Sequence, residues 1–201
     1  MFYLHPHRFK TKEIDASELL QGYNSGKRDF SQVNLTQISL NDLTLANIKL
    51  WRANLAKINL SRSVLHRANL AQSNLSCGTL WRTDLSYGNL VSAKCDRALF
   101  IRSNLSRANL RKSFLRDGDL RLANLSGANL ERADLSGANL SYADLSGANL
   151  TGANLDRAIL TGAKLTNTNL SNTNLDRAIL EGAKIDPTVL SERNTIANEI
   201  M

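Results

Sequence analysis

The residues of this chain that could carry out acid–base or nucleophilic chemistry are few and isolated. His66 is the only histidine between residues 28 and 187, and no Ser-His-Asp, Cys-His or paired metal-ligand spacing accompanies it. The glycines between residues 127 and 162 occur as Ser-Gly-Ala or Thr-Gly-Ala, and no glycine lies in a phosphate-loop pattern. His5 and His7 offer only two ligands in a terminal segment, which favours a tail over a metal site. We therefore expect no catalytic residue, no metal, no cofactor and no enzymatic activity.

Basic side chains are concentrated in the middle of the chain. Residues 49–121 contain fourteen Lys and Arg against four Asp, while residues 122–201 contain six basic side chains against nine acidic ones. A basic middle attracts nucleic acid, an anionic membrane surface or an acidic protein. The charge alone does not choose among these three partners.

The element that must position these charges is indicated by an apolar residue at every fifth position. The run extends from Phe30 to Leu190 and is leucine almost throughout. On an α-helix a step of five residues rotates the side chain by about 140°, so the leucines would spiral around the axis. On a flat strand, an odd spacing would send alternate leucines to opposite faces. A chain that turns a corner at every repeat instead points each leucine toward a common axis.

The other positions of the repeat agree with such a coil. The residue two before the leucine is alanine throughout Ala123 to Ala163, which predicts a tight interior site. The residue just before the leucine is usually Asn or Asp, whose side chains bond to nearby backbone in turns. The two residues that follow the leucine vary and are often charged, as expected of an outer surface.

The repeated phrases Ala128–Arg132 and Ala138–Tyr142 resemble the A(N/D)LxX motif of the pentapeptide-repeat family. The resemblance covers about residues 28–187. It implies an all-β solenoid, a right-handed quadrilateral β-helix with four repeats per coil and thus about eight coils of 20 residues. Ser17–Leu20 and Gly26–Phe30 resemble the start of several cyanobacterial members. The inward positions are expected to form a core ladder, represented by Leu110, Leu130 and Leu150.

Both ends of such a rod must be covered, because they expose strand edges and core leucines. Residues 1–27 are interpreted as a tail and a capping helix, since Asp15 followed by Glu18 resembles a capping box. The helix is expected to pack on the first coil through Leu19, Leu20 and Tyr23. Residues 188–201 are interpreted as a C-terminal cap. A homodimerisation segment is the alternative there, since some family members dimerise through that end.

With coils of 20 residues, positions 20 apart stack in columns, and one face then combines arginines with large apolar residues. This candidate interaction face comprises Trp81, Arg82, Leu99, Ile101, Arg62, Arg102 and Arg121. Arginine and aromatic side chains are enriched in protein interfaces and also suit base stacking. A weaker column of the same type holds Arg67, Tyr87 and Arg107. The alternative interpretation is an ordinary solvated face.

The sequence thus predicts a non-enzymatic scaffold that binds a protein partner through one face of the rod, with a regulatory role as one option. Binding of nucleic acid or another anionic surface through the basic middle is the alternative. A DNA mimic acting on a type II topoisomerase is disfavoured because such a rod is acidic. The lack of an apolar run near 18 residues argues against membrane insertion. Inward Cys95 and outward Cys77 are poorly placed for a disulfide, which favours the cytoplasm.

Overall fold

The structure, a computed structural model, describes residues 12–186. One short helix and four two-residue strands are assigned, and the rest of the described chain consists of turns and single β-bridges. In chain order they are β1 (Lys12–Glu13), α1 (Ala16–Asn24), β2 (Val33–Asn34), β3 (Lys164–Leu165) and β4 (Lys184–Ile185).

The bridges define a coil of 20 residues. Each isolated bridge is parallel and joins a residue to the one 20 positions later, as in Thr79 with Leu99 and Leu99 with Asp119. The pair β3 and β4 has the same 20-residue offset. At the other end β1 pairs in parallel with β2, so the N-terminal segment covers the exposed edge of the first coil.

One repeat, Asn59 to Ser63, shows how the backbone groups are satisfied. The amides of Leu60 and Arg62 donate to carbonyls of the following coil, both at 2.8 Å, and the Asn59 amide donates to the preceding coil at 2.9 Å. The Ser63 amide closes the turn on the Leu60 carbonyl at 3.1 Å. The remaining amide, that of Ser61, donates to Oδ1 of Asn59 at 3.0 Å. Where the residue before the leucine is Asn or Asp, its side chain therefore supplies an acceptor that the backbone ladder lacks.

The core is a stack of leucines flanked by small residues. Leu110, Leu130 and Leu150 are completely buried. The alanines from Ala123 to Ala163 are buried beside them. Burying one leucine contributes about 1.5–3 kcal/mol. Repetition of this modest gain from coil to coil is the main source of stability in a rod with so few aromatic residues.

Each corner of the coil places one residue in the left-handed region, two positions after the leucine. All of these corner residues from Gln32 to Leu122 are non-glycine, with φ between 53° and 63°. From Gly127 onward glycine takes six of the corners, at φ between 63° and 69°. The third residue of a type II turn has such a φ, which favours glycine. The N-terminal part of the rod therefore carries more backbone strain than the C-terminal part.

The helix α1 lies over the N-terminal end of the core. Asp15 caps it, because its side chain accepts a hydrogen bond from the Glu18 amide at 2.8 Å. Leu19 is completely buried, and Leu20 and Tyr23 pack against the core cluster. The Tyr23 hydroxyl also donates to the Ala46 carbonyl at 3.0 Å. The proposed C-terminal cap or dimerisation segment, residues 188–201, lies outside the described residues, as do His5 and His7.

Replacing Leu130 with Asp is expected to destabilise the rod by more than about 4 kcal/mol, because a carboxylate would be buried between coils without a partner. Urea unfolding followed by circular dichroism measures the loss. The control Gln37→Asp adds the same group at an exposed corner and should change stability by less than about 0.5 kcal/mol. Equal effects of the two substitutions would contradict the inward placement of Leu130.

Candidate protein-interaction face

Three columns of residues build the face that contains Trp81, called here the tryptophan face. Each coil contributes three kinds of residue to this face. The leading residue comes just before the inward residue, the trailing residue comes just after it, and the corner residue follows the trailing residue. The leading column is Thr79, Leu99, Asp119, Asn139, Ile159 and Ile179. The trailing column is Trp81, Ile101, Arg121, Ser141, Thr161 and Glu181. The corner column is Arg62, Arg82, Arg102, Leu122, Tyr142 and Gly162.

Trp81 is half-buried between two corner arginines. The Arg82 guanidinium carbon lies 4.7 Å from the centroid of the Trp81 ring, and that of Arg62 lies 6.0 Å away. Cation–π contacts at exposed sites stabilise by about 0.5–1 kcal/mol. The indole is therefore held in place and still presents part of its surface to solvent.

Some arginines of this face form ion pairs with aspartates, and others have no ion pair within the described part of the chain. Arg62 forms an ion pair with Asp42, and its hydrogen bonds hold the pKa of that carboxyl below its usual value. Arg121 is paired with Asp119 at 2.7 Å. Arg82 and Arg102, in contrast, form no ion pair with any residue between 12 and 186. The positive charge that a partner can use is therefore centred on these two side chains.

In the leading column, an exposed apolar residue stands where the repeat normally has a hydrogen-bond acceptor. Leu99 occupies a position where Asn or Asp would accept a bond from the amide two residues on, and it has no acceptor atom to offer Ile101. Its side chain is 40 % exposed. Exposing an aliphatic side chain while giving up that bond has no advantage for folding, which favours a role in contact with another molecule.

The structure extends the apolar surface beyond the residues that the sequence singled out. Four of the seven exposed large apolar side chains in the described part of the chain lie on the tryptophan face, and they are Leu99, Leu122, Tyr142 and Ile179. Ile159 lies between the last two and is half-buried. Ile159 and Ile179 could have been identified from the sequence, because both occupy a position where the repeat usually has Asn or Asp.

The secondary candidates Arg67, Tyr87 and Arg107 also come together, on the next corner of the rod. The two guanidinium carbons lie 5.9 and 5.6 Å from the Tyr87 ring centroid, and Arg107 Nη1 donates to the Tyr87 hydroxyl at 3.0 Å. His66 packs edge-on against the same ring, with centroids 5.4 Å apart. This cluster is positive and aromatic, but Tyr87 is already engaged by its neighbours.

The described residues contain no grouping of His, Cys, Asp and Glu that could hold a metal ion. No helix between residues 12 and 186 is long and apolar enough to cross a membrane. Cys95 is buried and Cys77 half-buried, and both thiols are free. Burial among apolar side chains raises the pKa of the Cys95 thiol far above its usual value, so this thiol is not a nucleophile at neutral pH.

The pentapeptide-repeat family model matches this chain in eight copies, over segments that together span residues 29–76, 80–117 and 119–191. Proteins of that family fold as right-handed quadrilateral β-helices, in agreement with the 20-residue register of the bridges. The fold class expected from the sequence is confirmed to that extent. No curated protein matches the sequence at a significant level.

The chain is also similar to several solved structures. QnrB1, a plasmid-mediated fluoroquinolone resistance protein, is 20 % identical with a TM-score of 0.64, and the match covers 86 % of this chain and 87 % of QnrB1. HetL, a protein involved in heterocyst differentiation regulation in the cyanobacterium Nostoc, is 28 % identical with a TM-score of 0.40, covering 85 % of this chain and 96 % of HetL. A thylakoid-lumen protein of Arabidopsis thaliana is 30 % identical with a TM-score of 0.48, covering 54 % and 72 %.

Replacing Leu122 with Gly is expected to leave the rod equally stable or more stable by up to about 1 kcal/mol, because glycine removes the strain of a left-handed corner. Thermal unfolding followed by circular dichroism measures the change. Ser92→Gly, at an equivalent corner outside the tryptophan face, is the matched control. A loss of more than about 1 kcal/mol for Leu122→Gly alone would mean that Leu122 serves the fold rather than the surface.

Proposed function

Because the chain belongs to the pentapeptide-repeat family, whose members are in general structural or binding proteins, we propose that it is a non-enzymatic scaffold that binds a protein partner through the tryptophan face. The contact is centred on Trp81, Arg82 and Arg102, with Leu99 and Ile101 beside them. Arg62 and Arg121 belong to the rim of this site, because each already has a carboxylate partner.

One observation carries the proposal. Arg82 and Arg102 have no carboxylate partner in the described chain, and Arg82 lies against the half-exposed indole of Trp81 on a face that also holds the exposed Leu99. Arginine and tryptophan next to apolar surface are typical of the few residues that dominate binding energy at protein interfaces. Two unpaired guanidinium groups favour a partner that offers carboxylates at the same spacing.

The proposal treats the rod as about eight coils over residues 28–187, with α1 as its N-terminal cap and residues 188–201 as a separate C-terminal segment. The cytoplasm is the proposed compartment, and the two free thiols support it. A DNA-mimic role is not proposed. The likeness to QnrB1 concerns the fold alone, and residues 49–121 carry fourteen basic side chains against four acidic ones, the opposite of a phosphate-like charge.

The double substitution Trp81→Ala with Arg82→Ala is expected to remove the partner while leaving the rod folded, because both side chains lie on the surface. Pull-down from the native cell, with mass spectrometry of every captured protein, measures the loss. The double substitution Trp51→Ala with Arg52→Ala is a matched control, since that pair has the same spacing and a similar 4.4 Å cation–π contact on another face. Identical captured sets for wild type and both variants would contradict the proposed site.

The arginine pair around Tyr87 supports a second candidate, direct binding of nucleic acid to the basic middle. Guanidinium groups contact phosphates, and an exposed aromatic ring can stack on a base. The tyrosine here is 46 % exposed but already bound by Arg107, so the site is less open than the tryptophan face.

If nucleic acid binds there, electrophoretic mobility of labelled single-stranded RNA or DNA should shift at low salt, and the affinity should fall steeply as salt rises. Arg67→Ala with Arg107→Ala should reduce the salt slope by about one to two units. Arg157→Ala with Arg177→Ala removes equal charge from arginines already paired with Asp156, and it should have a smaller effect. The absence of any shift at low salt would exclude this candidate.

A further inference from the structure

The tryptophan face has opposite charges at its two ends. Arg82 and Arg102 lie at one end without ion pairs, and Glu181 lies at the other end, exposed and likewise without an ion pair among the described residues. Between them Asp119 and Arg121 neutralise each other. A face of this kind is complementary in charge to a copy of itself turned end over end.

The apolar residues of the face are also distributed so that they can match a copy of the face turned end over end. Leu99 lies near the basic end and Ile159 near the acidic end, in the same leading column. Leu122 and Tyr142 lie at adjacent corners in the middle of the face, and they are 47 % and 63 % exposed. A second copy running in the opposite direction can bring Leu99 against Ile159 and Leu122 against Tyr142.

We propose that the tryptophan face binds a second copy of this chain, with the two rods antiparallel and related by a two-fold axis. The proposal rests on the proposed function, since it names the partner of that same face. An interface of this type is isologous, so that every contact occurs twice, and two-fold dimers are the commonest assemblies of soluble proteins.

The regular coil determines which residues meet. A two-fold axis across the face, between the coils of Leu120 and Leu140, places each column against the same column of the partner read backwards. Leu99 then lies opposite the partner's Ile159, and Leu122 lies opposite the partner's Tyr142. Trp81 lies opposite the partner's Glu181, and Arg82, at the next position along the chain, comes beside the same carboxylate. The contact extends over five coil steps, or about 24 Å at the usual spacing of paired strands.

Other arrangements of the same two faces are less favourable. Moving the axis onto the coil of Leu120 would put Leu99 against the partner's Asn139. Moving it onto the coil of Leu140 would pair Leu99 with the partner's Ile179 but would put Asp119 against the partner's Ile159. A parallel arrangement would bring the basic coils of both rods to the same height, where like charges repel. The antiparallel register between Leu120 and Leu140 avoids both conflicts.

A charge exchange between subunits tests this register. Arg82→Glu alone and Glu181→Arg alone each create two like-charged contacts per homodimer, and each is expected to weaken dimerisation roughly tenfold. A mixture of the two variant chains restores both ion pairs in a heterodimer, whose dissociation constant should return to within about threefold of the wild-type value. Sedimentation equilibrium measures the homodimers, and differently tagged chains in co-purification identify the heterodimer.

Arg52→Glu, at a corner on another face and beside Trp51, is the matched control and should leave the dimer unchanged. Leu122→Gly is expected to abolish dimerisation, while its melting temperature, compared with that of wild type at a protein concentration where both are monomeric, should not fall. This comparison separates the surface role from folding. A wild-type chain that stays monomeric at about 100 μM, or a dimer insensitive to Arg82→Glu and to Glu181→Arg, would overturn the proposal. Loss of a different protein from the Trp81→Ala, Arg82→Ala pull-down would in that case still support the proposed function.

Discussion

The rod depends on one interaction, the ladder of backbone hydrogen bonds between residues 19 or 21 positions apart. The ladder requires every coil to contain the same number of residues, because one inserted residue would shift every later side chain to a neighbouring slot. This requirement fixes an inward leucine at every fifth position and a small residue beside it. It also makes each coil a template for the next, so stability is close to a sum of nearest-neighbour terms.

The same regularity separates the needs of folding from those of binding. Folding constrains the inward residue, its small neighbour and the Asn or Asp that satisfies the one amide left over by the ladder. Corners tolerate any residue that can adopt a positive φ, and glycine does so at least cost. From Gln32 to Leu122 the chain uses no glycine at a corner, and seven of those corners are arginine. The strain accepted there is best explained by what the side chains contact on the outside.

Much of this organisation could be predicted from the sequence. The period of five indicates the inward residues, and Asp15 with Glu18 indicates the start of the helix. The coil of 20 residues follows from the family resemblance, because the period of five does not limit the number of repeats per turn. Ion pairing was not predicted, since Arg62 and Arg82 occupy equivalent corners and Arg62 is paired only because Asp42 is the corner residue of the preceding coil in the same column. The C-terminal extent of the apolar face was missed because Ile159 and Ile179 are far from Trp81 in sequence.

Departures from the repeat are therefore the most informative positions of this chain. An Asn or Asp before the leucine contributes about 1 kcal/mol through its bond to the backbone, so each replacement by an aliphatic residue has a cost. Four such replacements occur between residues 12 and 186, and three of them, Leu99, Ile159 and Ile179, fall in one column, although they are separated by 60 and 20 residues along the chain. Val64 lies in a second column and the aromatic Phe114 in a third, so the tryptophan face holds the largest group of apolar residues at this position. The alignment of this group on the face that also holds the unpaired Arg82 and Arg102 indicates a single elongated binding surface, longer than the patch around Trp81.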